Sequence, residues 1–207
     1  MIWEYRALSY TKKVRKIMET DIHWKYFLAL DNDFGVLSRY IEPCAENFNT
    51  YSLEIARLLM AASQECDVML KRLCEKEGTS SVGNEKSYRE VLTKKLPSFS
   101  ETKINITQFQ LEFTPYQSWG NTTTPEWWTA NNKIKHHRAT DYGEANLKNL
   151  MGAISGLLVA NIYYHRDKRR EDDKTSVMLS PQPKYFSPVL KVISSWTMME
   201  REYHVPD

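Results

Sequence analysis

Residues 150–164, Leu-Met-Gly-Ala-Ile-Ser-Gly-Leu-Leu-Val-Ala-Asn-Ile-Tyr-Tyr, are almost wholly apolar and constrain the fold more than any other part of the chain. A helix that is apolar on every side must be surrounded by other protein or by lipid. The run is 15 residues long between Lys148 and His165. That falls short of the roughly 17 needed to span a bilayer, so a central buried helix is expected and no contact with a membrane. Gly152 and Gly156 stand four apart, a spacing that lets a second backbone approach closely.

The second strong signal is a stripe over residues 51–76. Tyr51, Ile55, Leu58, Leu59, Ala62, Cys66, Leu70 and Leu73 recur at helical period. These two helices, the second entered through a capping box at Asp141-Tyr142-Gly143-Glu144, are expected to form a long antiparallel core pair. The fold class is therefore mostly α.

Other segments are shorter. Residues 1–30, rich in Trp, Tyr and Lys, read as helix, and residues 33–41 as a short amphipathic helix with Asp33 at its N-cap and Pro43 beyond its end. Residues 78–83 look like a loop and residues 87–96 like a helix. In residues 103–113 apolar side chains alternate with polar ones, the mark of a small extended appendage. Thr124 followed by Pro125 has the chemistry of an N-cap and first helical position, opening a helix through Trp127, Trp128 and Ile134. Residues 1–165 are expected to form the helical domain, with residues 166–207 a charged linker and a tail packed on it. In that tail the only helix-like pattern is at residues 189–199.

Composition closes off several functions. Lys plus Arg number 28 and Asp plus Glu 26, a net +2, so attraction to nucleic acid must come from a local patch. Seven glycines, none at phosphate-loop or dinucleotide-loop spacing, exclude the common nucleotide fingerprints. Asp33-Phe34-Gly35 has no glycine-rich loop to accompany it and is read as helix rather than a kinase element. Cys66 and Cys74 lie eight positions apart on one helix, about 12 Å along its axis, too far for a disulfide. With Cys44 they are also too few for a zinc site, and a reducing compartment, the cytoplasm, is expected.

One segment carries chemistry: Trp127-Trp128-Thr129-Ala130-Asn131-Asn132-Lys133-Ile134-Lys135-His136-His137-Arg138. On a helix Trp128, Asn132, Lys135 and His136 share a face. Lys135 and Arg138 offer charge to phosphate oxygens, His136 can move a proton near neutral pH, and a tryptophan can stack on a base. The same pattern also suits plain architecture, with tryptophans in the core and basic residues satisfying the last helical carbonyls. His136 and His137 point about 100° apart, which argues against a shared metal ion. Glu65 lies on the rim of the 51–76 stripe, where a carboxylate seeks a cation; Lys135 or His136 are its expected partners.

Asn131-Asn132-Lys133-Ile134-Lys135-His136, between a long helix carrying Ser63-Gln64-Glu65 and the apolar helix, resembles the HEPN family of small α-helical domains, many of which are RNA-cleaving toxins or antiviral effectors. The family signature is an arginine, a few variable residues and a histidine. Asn131 stands at the arginine position and His136 at the histidine. The resemblance implies a metal-independent ribonuclease without cofactor, with His136, Arg138 and Asn131 catalytic and Asn132, Lys135, His137 and Glu65 binding RNA phosphate. It also implies a homodimer in which two motifs face each other, and a protein partner of a toxin or defence system. The alternative is a catalytically inactive module of the same fold, acting as a subunit of a larger complex.

Overall fold

A computed structural model describes residues 21–168, 175–197 and 200–206. The helix expected at the extreme N-terminus falls outside them up to residue 20. The described chain is helical for the most part, with helices α1 (Ile22–Leu37), α2 (Leu53–Lys76), α3 (Glu85–Lys95), α4 (Glu126–Asp141) and α5 (Leu147–His165). Seven short strands accompany them: β1 (Ile104–Ile106), β2 (Leu111–Phe113), β3 (Asp167–Lys168), β4 (Thr175–Leu179), β5 (Phe186–Pro188), β6 (Val192–Thr197) and β7 (Glu200–His204).

The apolar run is the interior of α5, whose side chains from Asn149 to Tyr163 are all buried. Its start is set by Asn146, which accepts the Asn149 N–H at 3.0 Å. The expected capping box is absent: α4 continues through Asp141, and a single 3₁₀ turn over Tyr142–Glu144 precedes Asn146. Gly152 and Gly156 admit an indole rather than a backbone, since a Cβ at either position would lie 2.9–3.0 Å from the Trp127 ring.

α2 packs along α5, capped by Ser52, whose hydroxyl accepts the Ile55 N–H. The pair is parallel, correcting the antiparallel expectation. At one end the Thr50 carbonyl accepts the Leu147 N–H, and at the other Arg72 reaches the Tyr164 hydroxyl. Short connections force neighbouring helices antiparallel, but α3, β1, β2 and α4 all lie between these two.

α1 also differs from expectation. It begins at Ile22, capped by Asp21, whose Oδ1 accepts the His23 N–H at 2.7 Å, so Asp33 is interior rather than a cap. Gly35 makes room for the Tyr185 ring, which a Cβ would meet at 2.2 Å.

The tail contributes strands. β5 adds to β1 and β2 in an antiparallel three-stranded sheet, while β3, β4, β7 and β6 form a second sheet in that order. The segment read as helix-like at residues 189–199 contains strand β6, paired with β7. Residues 103–113 form a hairpin turned by Gln110 in the left-handed region, φ 55°. Val177, Leu179, Phe186, Tyr203 and Val205 join the helices in one hydrophobic core.

The tail is fastened at Asp31, a buried carboxylate on α1. It accepts the backbone N–H groups of Lys184 at 2.8 Å and of Tyr185 and Phe186 at 3.1 Å. Burial pushes this carboxyl up, against the pull of the three donors. Asp31→Ala strands those donors and is expected to cost about 2–4 kcal/mol in urea melts, whereas Asp31→Asn, which keeps an acceptor, should cost visibly less. Equal losses would show that the cradle contributes only packing.

Candidate functional site

α4 presents the basic segment because its opposite face is anchored. Trp127, Ala130 and Ile134 are buried, and the Trp127 Nε1 donates to the Pro115 carbonyl at 3.0 Å. Pro125 is the N-cap and offers no side-chain cap. Thr124, expected in that role, instead donates its hydroxyl to Glu85 Oε2 at 3.0 Å. Glu85 is itself buried and also receives Trp119 Nε1 at 2.7 Å, so a long-range carboxylate outcompetes the local cap.

Asn132, Lys135, His136, His137 and Arg138 are all exposed, and Asn131 is half-buried. Helical geometry breaks at His137, with φ −134° and ψ 39°. The two histidine rings are 6.4 Å apart. Beyond the break the Arg138 guanidinium lies 2.9 Å from Met60 Sδ on α2. Lys133 on the flank is paired with Glu144 at 2.5 Å, which holds its ammonium above the ordinary range. The structure thus leaves an imidazole, an ammonium, a guanidinium and an amide exposed along the second half of α4, its solvent-facing rim. It removes the base-stacking platform: Trp128 is only 9 % exposed and lies edge-on to Trp127.

Glu65 does not join this rim. Its carboxylate contacts His23 Nδ1 on α1 rather than Lys135 or His136. His23 Nε2 is 3.0 Å from an Arg72 nitrogen. Because a guanidinium can only donate, Nε2 accepts and the ring proton sits on Nδ1, directed to Glu65. Arg72 also donates to the Tyr164 hydroxyl at 2.7 Å. This chain of bonds clasps α1, α2 and α5 together. The sequence signal was the spacing of Glu65, Arg72 and Lys76, which puts all three on one side of α2, while His23 has no local mark.

His165 at the end of α5, its side chain 5 % exposed, sits beside this clasp with its Nε2 3.7 Å from Asp21 Oδ2. Burial drives its pKa down to about 4; Asp21 opposes this, while Lys76, His23 and Arg72 add to it. A histidine with a lowered folded pKa favours the neutral form, so its stability contribution is complete above about 6.5 and is lost as the pH falls toward 4. Chemical denaturation between pH 7 and 4 should therefore show a steeper loss in the wild type than in His165→Gln. Parallel curves would mean that the site admits the charged ring.

Among the described residues no group of three or more His, Cys, Asp or Glu side chains could hold a metal ion, and no helix is long and apolar enough to cross a membrane. Cys66 and Cys74 are buried free thiols on α2, and burial raises both. Compared with family models, curated proteins and solved structures, the chain matches none.

Proposed function

We propose that this chain is an RNA-binding or metal-independent RNA-cleaving protein of the HEPN kind, with its site on the rim of α4. The observation that supports this most is the joint exposure of Lys135, His136, His137 and Arg138 at the break in a helix whose other face is locked by Trp127 and Ile134. A positively charged rim with a titratable imidazole is suited to a phosphodiester. His136 takes the proton of a ribose 2′-hydroxyl, the oxygen attacks the adjacent phosphorus, and the 5′-oxygen departs and is protonated from solvent. Lys135 and Arg138 stabilise the charge that builds on the phosphoryl oxygens, and Asn131, Asn132 and His137 offer further donors. Neither step calls for a metal ion or a cofactor. Two copies would pair with their rims facing, in the cytoplasm, the reducing compartment that the three free cysteines suit.

A second reading has its own observation. Asn131 occupies the position of the family's arginine, and Arg138 is drawn onto Met60. Both favour an inactive module that binds a protein of a toxin or defence complex. Purified protein incubated with labelled RNA in chelator distinguishes the two. Fragments ending in 2′,3′-cyclic phosphate support the enzyme, and intact RNA supports the module.

A further inference from the structure

Ionisable side chains from three helices converge around the start of α1. Asp21, its N-cap, and His23 meet Glu65, Arg72 and Lys76 of α2, with Tyr164 and His165 at the end of α5. Further out, Glu75 acts on Arg72, and Glu77, Arg166 and Asp167 act on Lys76. With both imidazoles neutral, the inner group sets two carboxylates against two cations and is balanced.

Neither ring can take a proton in place without losing that balance. His23 donates Nδ1–H to Glu65, and its Nε2 accepts from Arg72 at 3.0 Å. A proton on Nε2 removes the acceptor and sets an imidazolium N–H against a guanidinium. The His165 side chain is 5 % exposed, and its Nε2 has no hydrogen-bond partner among the described residues. Asp21 Oδ2, 3.7 Å away, is beyond hydrogen-bond reach. It is not free to follow, because Asp21 Oδ1 receives the N–H groups of His23 at 2.7 Å and Trp24 at 3.4 Å. Protonating both rings sets four cations against two carboxylates in a corner largely closed to water.

α1 is the element that yields. α2 and α5 pack along their lengths, and Lys76 Nζ binds them further by donating to the carbonyls of Tyr164 at 2.6 Å and Arg166 at 2.8 Å. Among the described residues, no side-chain bond or ion pair fastens residues 21–25 to α2 or α5 except those of Asp21 and His23. Water admitted here also reaches Trp24 Nε1, Arg72 Nε and His165 Nε2, three buried atoms without hydrogen-bond partners, which offsets part of the cost of opening.

We propose that the start of α1 is an acid-sensitive latch: a proton taken up by His23 or His165 releases residues 21–27 from α2 and α5 and brings Trp24, fully buried in the closed form, to the surface. The latch is shut while both rings are neutral and opens as the pH falls, because the open form binds protons that the closed form excludes. None of its groups lies on α4, so it does not depend on the RNA reading.

Hydrogen exchange of the whole chain between pH 7 and pH 5, corrected for the intrinsic exchange rate, tests this. An opening linked to one proton shifts about tenfold per pH unit. Exchange at residues 24–27 should therefore rise about tenfold or more, while the buried stretches of α2 and α5 change less than about twofold. The double change His23→Gln with His165→Gln keeps an acceptor for Arg72 and cannot titrate, so it should flatten the response. Should that variant not fold, the imidazole resonances of the wild type decide: His23 or His165 must titrate over the pH range in which α1 opens. The proposal is overturned if exchange at residues 24–27 changes less than about threefold, if α1, α2 and α5 lose protection together, if the doubly substituted protein opens as the wild type does, or if α1 opens where neither imidazole titrates.

Discussion

His136→Ala is expected to lower RNA cleavage by about 10²–10⁴-fold, the usual contribution of a positioned general base. RNA affinity should stay within a few-fold, because a neutral base adds little to ground-state binding. The double change Lys135→Ala with Arg138→Ala should instead weaken binding and flatten its salt dependence by up to two phosphate contacts, since each contact releases condensed counterion. All three side chains are exposed, and exposed substitutions rarely cost more than about 0.5 kcal/mol, so both variants should fold as the wild type does. Cleavage rates and salt-dependent filter binding give the two readouts. A His136→Ala protein that cuts RNA at the wild-type rate would remove this residue from the mechanism.

The largest loss of stability is expected at Trp127. Its indole fills the space over Gly152 and Gly156, meets Tyr116 edge-on at 5.8 Å and donates to the Pro115 carbonyl. Trp127→Ala leaves a cavity against two residues that have no side chain to fill it, and strands an acceptor. A cost of about 3–5 kcal/mol is expected in urea melts. Hydrogen exchange should rise along α4 first, because Trp127 is its main anchor to α5. Uniform exchange across α4 and α5 would show instead that the two helices unfold as one unit.

The residues that could be read from the chain are those whose partners are near in sequence or whose pattern is dense. α2 and α5 were legible because a 3.6-residue stripe and an unbroken apolar run leave few alternatives. α1 was misjudged because it is apolar around much of its circumference, so no stripe marks its start. The relative direction of α2 and α5 is not a property of either helix; it follows from what lies between them. The same holds at the site. Exposure of Lys135 to Arg138 follows from the buried positions before them, but a helical wheel gives the angle of Trp128 and not its depth. Glu65 does find a basic network, as a rim carboxylate should, yet that network begins 42 positions upstream at His23. Thr124 lost its capping role to Glu85, 39 positions away.

The Asp31 cradle has a consequence for how the protein is made. Its carboxylate and the Phe186 N–H are separated by 155 positions. A ribosome adding about 5–20 residues per second delivers the acceptor several seconds or more before its donors. Throughout that interval α1 carries a carboxylate meant for the interior with nothing to receive, so its burial is opposed until β5 arrives. Synthesis order and bonding order therefore run against each other here: Asp31 is among the first described residues to be made, yet its three backbone donors exist only once residues 184–186 have been added.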